Sequence, residues 1–101
     1  MRELSVTKGD FDRSVRISVF NKEVKNAVQS NGNISDIHFI PVIKGYEITF
    51  NNNGVSEKLC INAKSRFYDG LIIKRYINGK FRKIYFTKDG FAETANKIFA
   101  N

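Results

Sequence analysis

The chain predicts an α+β fold: a mostly antiparallel sheet of five to six strands, with one helix after the first strand and one C-terminal helix. Three observations carry this. Turn pairs at Lys44-Gly45, Asn53-Gly54 and Asn78-Gly79 separate segments in which apolar and polar residues alternate, and period-two alternation between such turns marks half-buried hairpin strands. The last dozen residues change to helical spacing, with Phe91, Ala95, Ile98 and Phe99 recurring on one face. The length of 101 residues, 42% of them hydrophobic, suits a single domain over 1–101 with one core.

Taken in order, residues 1–12 (MRELSVTKGDFD) are polar and read as a loosely ordered arm or a short edge strand. From Arg13 to Phe20, Val15, Ile17 and Val19 alternate with Arg16 and Ser18, the pattern of a first strand. Asn21 then serves as the cap of a short helix through Gln29 or Ser30, with Val24, Ala27 and Val28 on one face and Gly32 as its stop.

Residues 37–62 read as a three-stranded meander whose turns set the register. Turning at Lys44-Gly45 places Ile43 opposite Tyr46, Pro41 opposite Ile48 and Phe39 opposite Phe50; turning at Asn53-Gly54 places Tyr46 opposite Ile61, Ile48 opposite Leu59 and Phe50 opposite Glu57. One face collects Phe39, Pro41, Ile43, Tyr46, Ile48, Phe50, Leu59 and Ile61, and the other Lys44, Glu47, Thr49 and Lys58. Pro41 has no N–H to give a ladder, which assigns its strand to an edge.

The second hairpin, Leu71 to Phe86, turns at Asn78-Gly79. Its register puts Tyr76 opposite Phe81, Arg75 opposite Arg82, Lys74 opposite Lys83, Ile73 opposite Ile84, Ile72 opposite Tyr85 and Leu71 opposite Phe86. Thr87 or Asp89 is the expected cap of the C-terminal helix.

Charge is the strongest functional signal. The net charge is +7, and residues 64–88 hold eight bases (Lys64, Arg66, Lys74, Arg75, Lys80, Arg82, Lys83, Lys88) against the single acid Asp69. The rest is nearly neutral. So local a basic field attracts polyanions. In the expected register two successive cross-strand pairs are like-charged, which destabilises a hairpin by a few tenths of a kcal/mol or more each, and a phosphate backbone would relieve them. Tyr76 and Phe81 beside Lys80, Arg75 and Arg82 combine stacking surface with cations, the arrangement of many single-strand binders; a two-stranded ribbon also fits a major groove. The connection Lys64-Ser65-Arg66-Phe67-Tyr68-Asp69-Gly70 adds Lys64, Arg66 and Tyr68 as loop candidates. The bland alternative is edge protection by lysine and arginine, with an ordinary aromatic pair beside the turn.

The expected function is therefore a small non-enzymatic nucleic-acid-binding protein, DNA or RNA, acting through residues 71–86: Lys74, Arg75, Lys80, Arg82 and Lys83 for phosphates, Tyr76, Phe81 and Tyr68 for bases. The alternative is a phage or mobile-element inhibitor whose basic hairpin docks on an acidic groove of a protein partner. A third, a ribonuclease toxin, would use His38 with Arg66, Tyr68 or Tyr85. No catalytic residue, metal or cofactor is assigned. No DxD, HExxH, GxxxxGK[ST] or GxGxxG pattern occurs, and Cys60 is the only cysteine, without Cys or His companions. No apolar run approaches the roughly 20 residues a spanning helix needs, and no leader pattern opens the chain, so the expected place is the cytoplasm, away from membranes. The 12 isoleucines, 11 lysines and 11 asparagines suit an AT-rich genome, such as that of a low-GC bacterium or its phages; a phage product would work in the host cytoplasm.

The run IIKRYINGKFRKIYFTKDGFAETANKIF resembles the wing and following helix of winged-helix regulators, in which a basic hairpin leads into a T-x-x-G helix start, here Thr87 and Gly90. The likeness covers under a third of the chain. Residues 13–62, read as strand, helix and three strands, depart from the three helices that precede such a wing, and the family's function is not carried over.

Overall fold

The structure, a computed structural model, describes residues 8–43, 45–62 and 70–100. Its elements are helix α1 (Lys8–Gln29), strands β1 (Ile34–Val42), β2 (Gly45–Asn52), β3 (Val55–Asn62), β4 (Ile72–Ile77) and β5 (Lys80–Phe86), a 3-10 turn (Thr87–Asp89) and helix α2 (Phe91–Phe99). The fold is α+β: the strands form one antiparallel sheet in the order β1-β2-β3-β4-β5, with both helices on one face.

The expected strand over Arg13–Phe20 is instead part of α1, which opens the described chain ahead of every strand, and the expected arm already has helical backbone from Lys8 onward. The alternation of Val15, Ile17 and Val19 competes with a longer helical repeat that runs through Asn21: Phe20, Val24 and Ala27 are buried and Ile17 and Val28 pack beside them, while Val15 and Val19 stay exposed. A three-four spacing that buries a continuous stripe prevails over a short alternation that buries nothing. Asn21 is therefore interior to the helix, not its cap.

The core lies between the helices and one face of the sheet. Ile48, Leu59, Leu71, Ile73, Phe20, Val24 and Phe99 are fully buried. The rings of Phe50 and Phe99 stand 4.9 Å apart, and Phe20 meets Phe91 edge-on at 6.2 Å, geometries that add to the burial itself. The Asn31 amide donates to the carbonyl of Phe99 at 2.6 Å, tying the end of α2 to the end of α1.

The meander turns where Asn53-Gly54 predicts, with Tyr46 opposite Ile61, Ile48 opposite Leu59 and Phe50 opposite Glu57. Asn53 and Gly54 take φ of 55° and 84°, the left-handed pair of a type I′ turn. The first turn differs: Val42 pairs with Gly45, so Gly45 belongs to the strand and Pro41 faces Tyr46 rather than Ile48. The even slide leaves every side chain on its expected face. A Cβ on Gly45 would collide with the carbonyl oxygen of Ile61, so this residue belongs in the sheet and not in the turn. Ile43, expected in the core, lies at the turn and is 92% exposed; Pro41, at the strand's end, is exposed as well. Pro41 does lie on an edge strand. The same slide sets Phe39 opposite Ile48 instead of Phe50, and a bulge between Ser35 and His38, with Asp36 at φ 51°, turns both Ile34 and Ile37 toward the core.

The second hairpin turns at Asn78-Gly79, φ 53° and 79°, and Tyr76 faces Phe81. One residue further a bulge intervenes, so Arg75 faces Lys83, Lys74 faces Ile84, Ile73 faces Tyr85 and Ile72 faces Phe86; the expected Arg75–Arg82, Lys74–Lys83, Ile73–Ile84, Ile72–Tyr85 and Leu71–Phe86 pairs are replaced. The shift moves Tyr85 onto the covered face, where it is buried opposite Ile73. Leu71 stands outside the strand, donating its N–H to Thr87 Oγ1 at 2.9 Å while its carbonyl accepts from the Thr87 N–H at 3.3 Å. Thr87 is thus committed to the strand junction, and α2 starts at Gly90 without a side-chain cap. The winged-helix likeness does not extend to the architecture, since the basic hairpin here closes a five-stranded sheet.

Candidate functional site

Period-two alternation and the observed pairing arrange the uncovered face in cross-strand rows. One row runs His38, Thr49, Lys58, Tyr76 and on to Phe81; the next runs Ile40, Glu47, Cys60, Lys74, Ile84; a further row holds Val42, Gly45, Asn62, Ile72, Phe86. No helix among the described residues packs on this side, and Phe81, Phe86, Val42, Ile40 and Ile84 are exposed. Phe81, Ile84 and Phe86 follow one another along β5, and exposed apolar side chains grouped in this way mark a binding surface.

At its tip end, Tyr76 and Phe81 meet edge-on, centroids 5.7 Å apart with rings at 69°. Lys58 Nζ sits 5.5 Å from the Tyr76 centroid, a cation over a ring. Phe81 remains 55% exposed. Lys74, Lys80, Arg82 and Lys83 are exposed, and the ion pairs among the described residues, Arg75–Glu57 and Lys97–Asp89, involve none of them. Lys83 lies with its ammonium 5.0 Å from the Tyr85 ring, keeping its charge at the sheet edge. Arg82 is the extra residue of the bulge, with no Cα partner on β4.

Arg75 is a correction to the expected phosphate set. It points to the covered side, where Nη2 lies 2.7 Å and Nε 2.8 Å from Glu57 Oε1 and Nη1 donates to the Tyr85 hydroxyl at 3.3 Å. Glu57 also accepts from the Asn52 amide at 3.1 Å. Burial opposes the charge on Arg75, but the Glu57 and Tyr85 hydrogen bonds outweigh it and push its pKa up, so the guanidinium stays charged and occupied. The hairpin's like-charge repulsion is consequently smaller than the sequence implies: the bulge removes the lysine pair, and Glu57 neutralises one partner of the remaining Arg75–Lys83 pair. The signal for this was present, since Phe50 opposite Glu57 puts a carboxylate on the apolar face, and a buried carboxylate requires a cation.

Of the remaining expected residues, Lys64, Arg66 and Tyr68 lie outside the described residues. Lys74, Tyr76 and Phe81 come together on the open face, with Lys80 and Arg82 at the adjoining tip. His38 lies on the same face beside Thr49, with two strands between its own and that of Tyr76. Tyr85, its suggested partner, is buried on the other side, which removes that pairing from the ribonuclease reading.

Next to the aromatic pair is a feature the sequence reading missed, a cleft of about 460 Å³ with Val42, Ile72, Ile84 and Phe86 as apolar walls and Glu47, Cys60, Asn62 and Lys74 as polar groups. The Cys60 thiol lies 3.9 Å from Glu47 Oε2. Burial, with Glu47 adding to it and Lys58 and Lys74 opposing, pushes that thiol's pKa up, so Cys60 acts as an S–H donor and not as a thiolate nucleophile. The signal for the cleft lay in β5, where a bulge puts Ile84 and Phe86 on the face away from the core; bulges are not written in local composition.

No helix among the described residues is long and apolar enough to cross a membrane, and no group of three acidic, histidine or cysteine side chains among them could hold a metal. Comparison with protein-family models, curated proteins and solved structures found no match.

Proposed function

We propose that this chain is a small, non-enzymatic nucleic-acid-binding protein that holds an unpaired strand across the open face and over the β4–β5 tip. The carrying observation is the Tyr76–Phe81 pair, solvent-facing and bordered by Lys58, Lys74, Lys80 and Arg82, none of which has a carboxylate partner among the described residues. Bases have a π-face whatever their identity, and stacking on such rings contributes roughly 1 to 3 kcal/mol per base. Open sheet faces with exposed aromatics serve single-stranded RNA in the same physical way. An unpaired strand is favoured over a duplex because the rings lie on a broad sheet face, where only splayed bases can reach them.

The test is the salt dependence of affinity for a short oligonucleotide. With Arg75 occupied by Glu57 and Lys83 lying over the Tyr85 ring on the covered side, the phosphate set is Lys58, Lys74, Lys80 and Arg82. Four neutralised phosphates give a slope of log affinity on log salt of about −2.8 on a single strand and about −3.6 on duplex. A slope near −2.8, lost when those four are changed to glutamine, supports the proposal. A flat response overturns it and leaves the cations to the alternative, an acidic protein surface.

A further inference from the structure

We infer that the cleft beside the aromatic pair is a seat for one unpaired guanine, with Glu47 and Lys74 reading its hydrogen-bonding edge. This rests on the nucleic-acid reading of the face and deepens it from strand binding to base selection.

The cleft has the make-up of a small-molecule seat. Its volume, about 460 Å³, lies in the range of roughly 300 to 1,000 Å³ typical of ligand pockets, where apolar walls surround a few orienting polar groups. Phe86 and Ile84 come from the edge strand and Ile72 from the strand beside it, with Val42 across the sheet, so a flat ring laid on this face meets apolar side chains. Glu47 and Lys74 stand in one cross-strand row with Cys60 between them. They therefore present a carboxylate and an ammonium about two strand spacings apart, or roughly 10 Å between backbones, with side chains long enough to converge on one ring.

The carboxylate is what selects the base. Phosphate repels it, so it has no part in holding the backbone, and its contact among the described residues is the weak thiol donor of Cys60 at Oε2. It needs N–H donors. Guanine offers two adjacent ones, N1–H and the N2 amino group, which match the two carboxylate oxygens, and its O6 acceptor lies on the side where an ammonium fits. Cytosine and adenine bring one amino group to a carboxylate, while thymine and uracil place a single imino N–H between two carbonyls that Glu47 repels. The seat is continuous with the strand track, because Lys74 is adjacent in sequence to neither ring yet neighbours Tyr76 along the same face of β4. A strand whose phosphate rests on the tip lysines and whose base stacks on Phe81 or Tyr76 can lay the next base in the cleft.

The experiment uses the full chain and thymidine 10-mers carrying one central guanine, cytosine or adenine, with the all-thymidine oligomer as reference. The guanine oligomer is expected to bind about tenfold more tightly than the reference, the lower end of what a bidentate contact discriminates. Glu47→Gln should erase that preference, while leaving the salt slope on the all-thymidine oligomer and the melting temperature unchanged. Equal binding of all four oligomers at an unchanged salt slope overturns the guanine seat and leaves strand binding standing. A guanine preference that survives Glu47→Gln also overturns it. Failure of every oligomer to bind removes both readings together.

Discussion

Lys74 and Arg75 are consecutive cations of one strand, and the two faces of the sheet treat them in opposite ways. On the covered face Arg75 is bonded to Glu57 and Tyr85 within a layer of fully buried side chains; on the open face Lys74 is exposed beside Tyr76 and the cleft. The difference teaches that a charge total read from sequence is not the field a partner meets. Alternation along a strand divides charges between a side where they must be paired to be tolerated and a side where they are left for solvent or a ligand.

Adjacent substitutions test that division, the largest effect first. Ile73→Ala removes a fully buried side chain and should cost about 3 to 4 kcal/mol in urea denaturation, whereas Ile72→Ala, on the open face, should cost about 1; equal costs would erase the distinction between the faces. Glu57→Ala leaves the Arg75 charge in a largely buried place and should cost about 3 kcal/mol, with most of it recovered in the Glu57→Leu/Arg75→Met double variant, which removes both charges. A double variant no better than the single would show that Glu57 is held by something other than Arg75. Gly79→Ala forces a side chain into the left-handed turn position at φ 79° and should cost about 1 kcal/mol, shifting the thermal midpoint without altering the slope of oligonucleotide binding on salt.

Lys74→Gln should move stability by less than about 0.5 kcal/mol, as an exposed surface change does, yet reduce the magnitude of the single-strand salt slope by about 0.7. Cys60 gives the smallest effect. With its thiol pKa raised by burial, disulfide-exchange labelling of the native protein should lag behind that of the unfolded chain at pH 8 and begin to accelerate only at higher pH. Labelling at the unfolded rate would mean that neither burial nor Glu47 holds the Cys60 thiol protonated.

The sequence disclosed what short-range chemistry dictates. Asn53-Gly54 and Asn78-Gly79 demand left-handed backbone, and both turns form where the residues require them. The sheet, its antiparallel sense and the C-terminal helix follow from alternation and helical spacing. Three features escaped, each decided by contacts distant in the chain. The helical stripe through Phe20, Val24 and Ala27 prevailed over the alternation of Val15, Ile17 and Val19 because α2 and the sheet were there to bury it. Gly45 entered the sheet because only glycine fits against the Ile61 carbonyl. The bulge beside Tyr76 exchanged the lysine pair for Lys74 opposite Ile84 and Arg75 opposite Lys83, and so created the cleft. The basic aromatic tip was readable from composition; which of its cations were already occupied was not, because Glu57 lies 18 residues from Arg75 in sequence.

The most direct test of the two-faced account is a titration of methyl-labelled protein with an unstructured oligonucleotide, followed by NMR. The account predicts that Ile72, Ile84 and Ile40 methyl resonances shift with saturation while those of Ile73, Ile48 and Ile98 stay in place. Equal movement of both groups, or movement confined to the covered side, would contradict it.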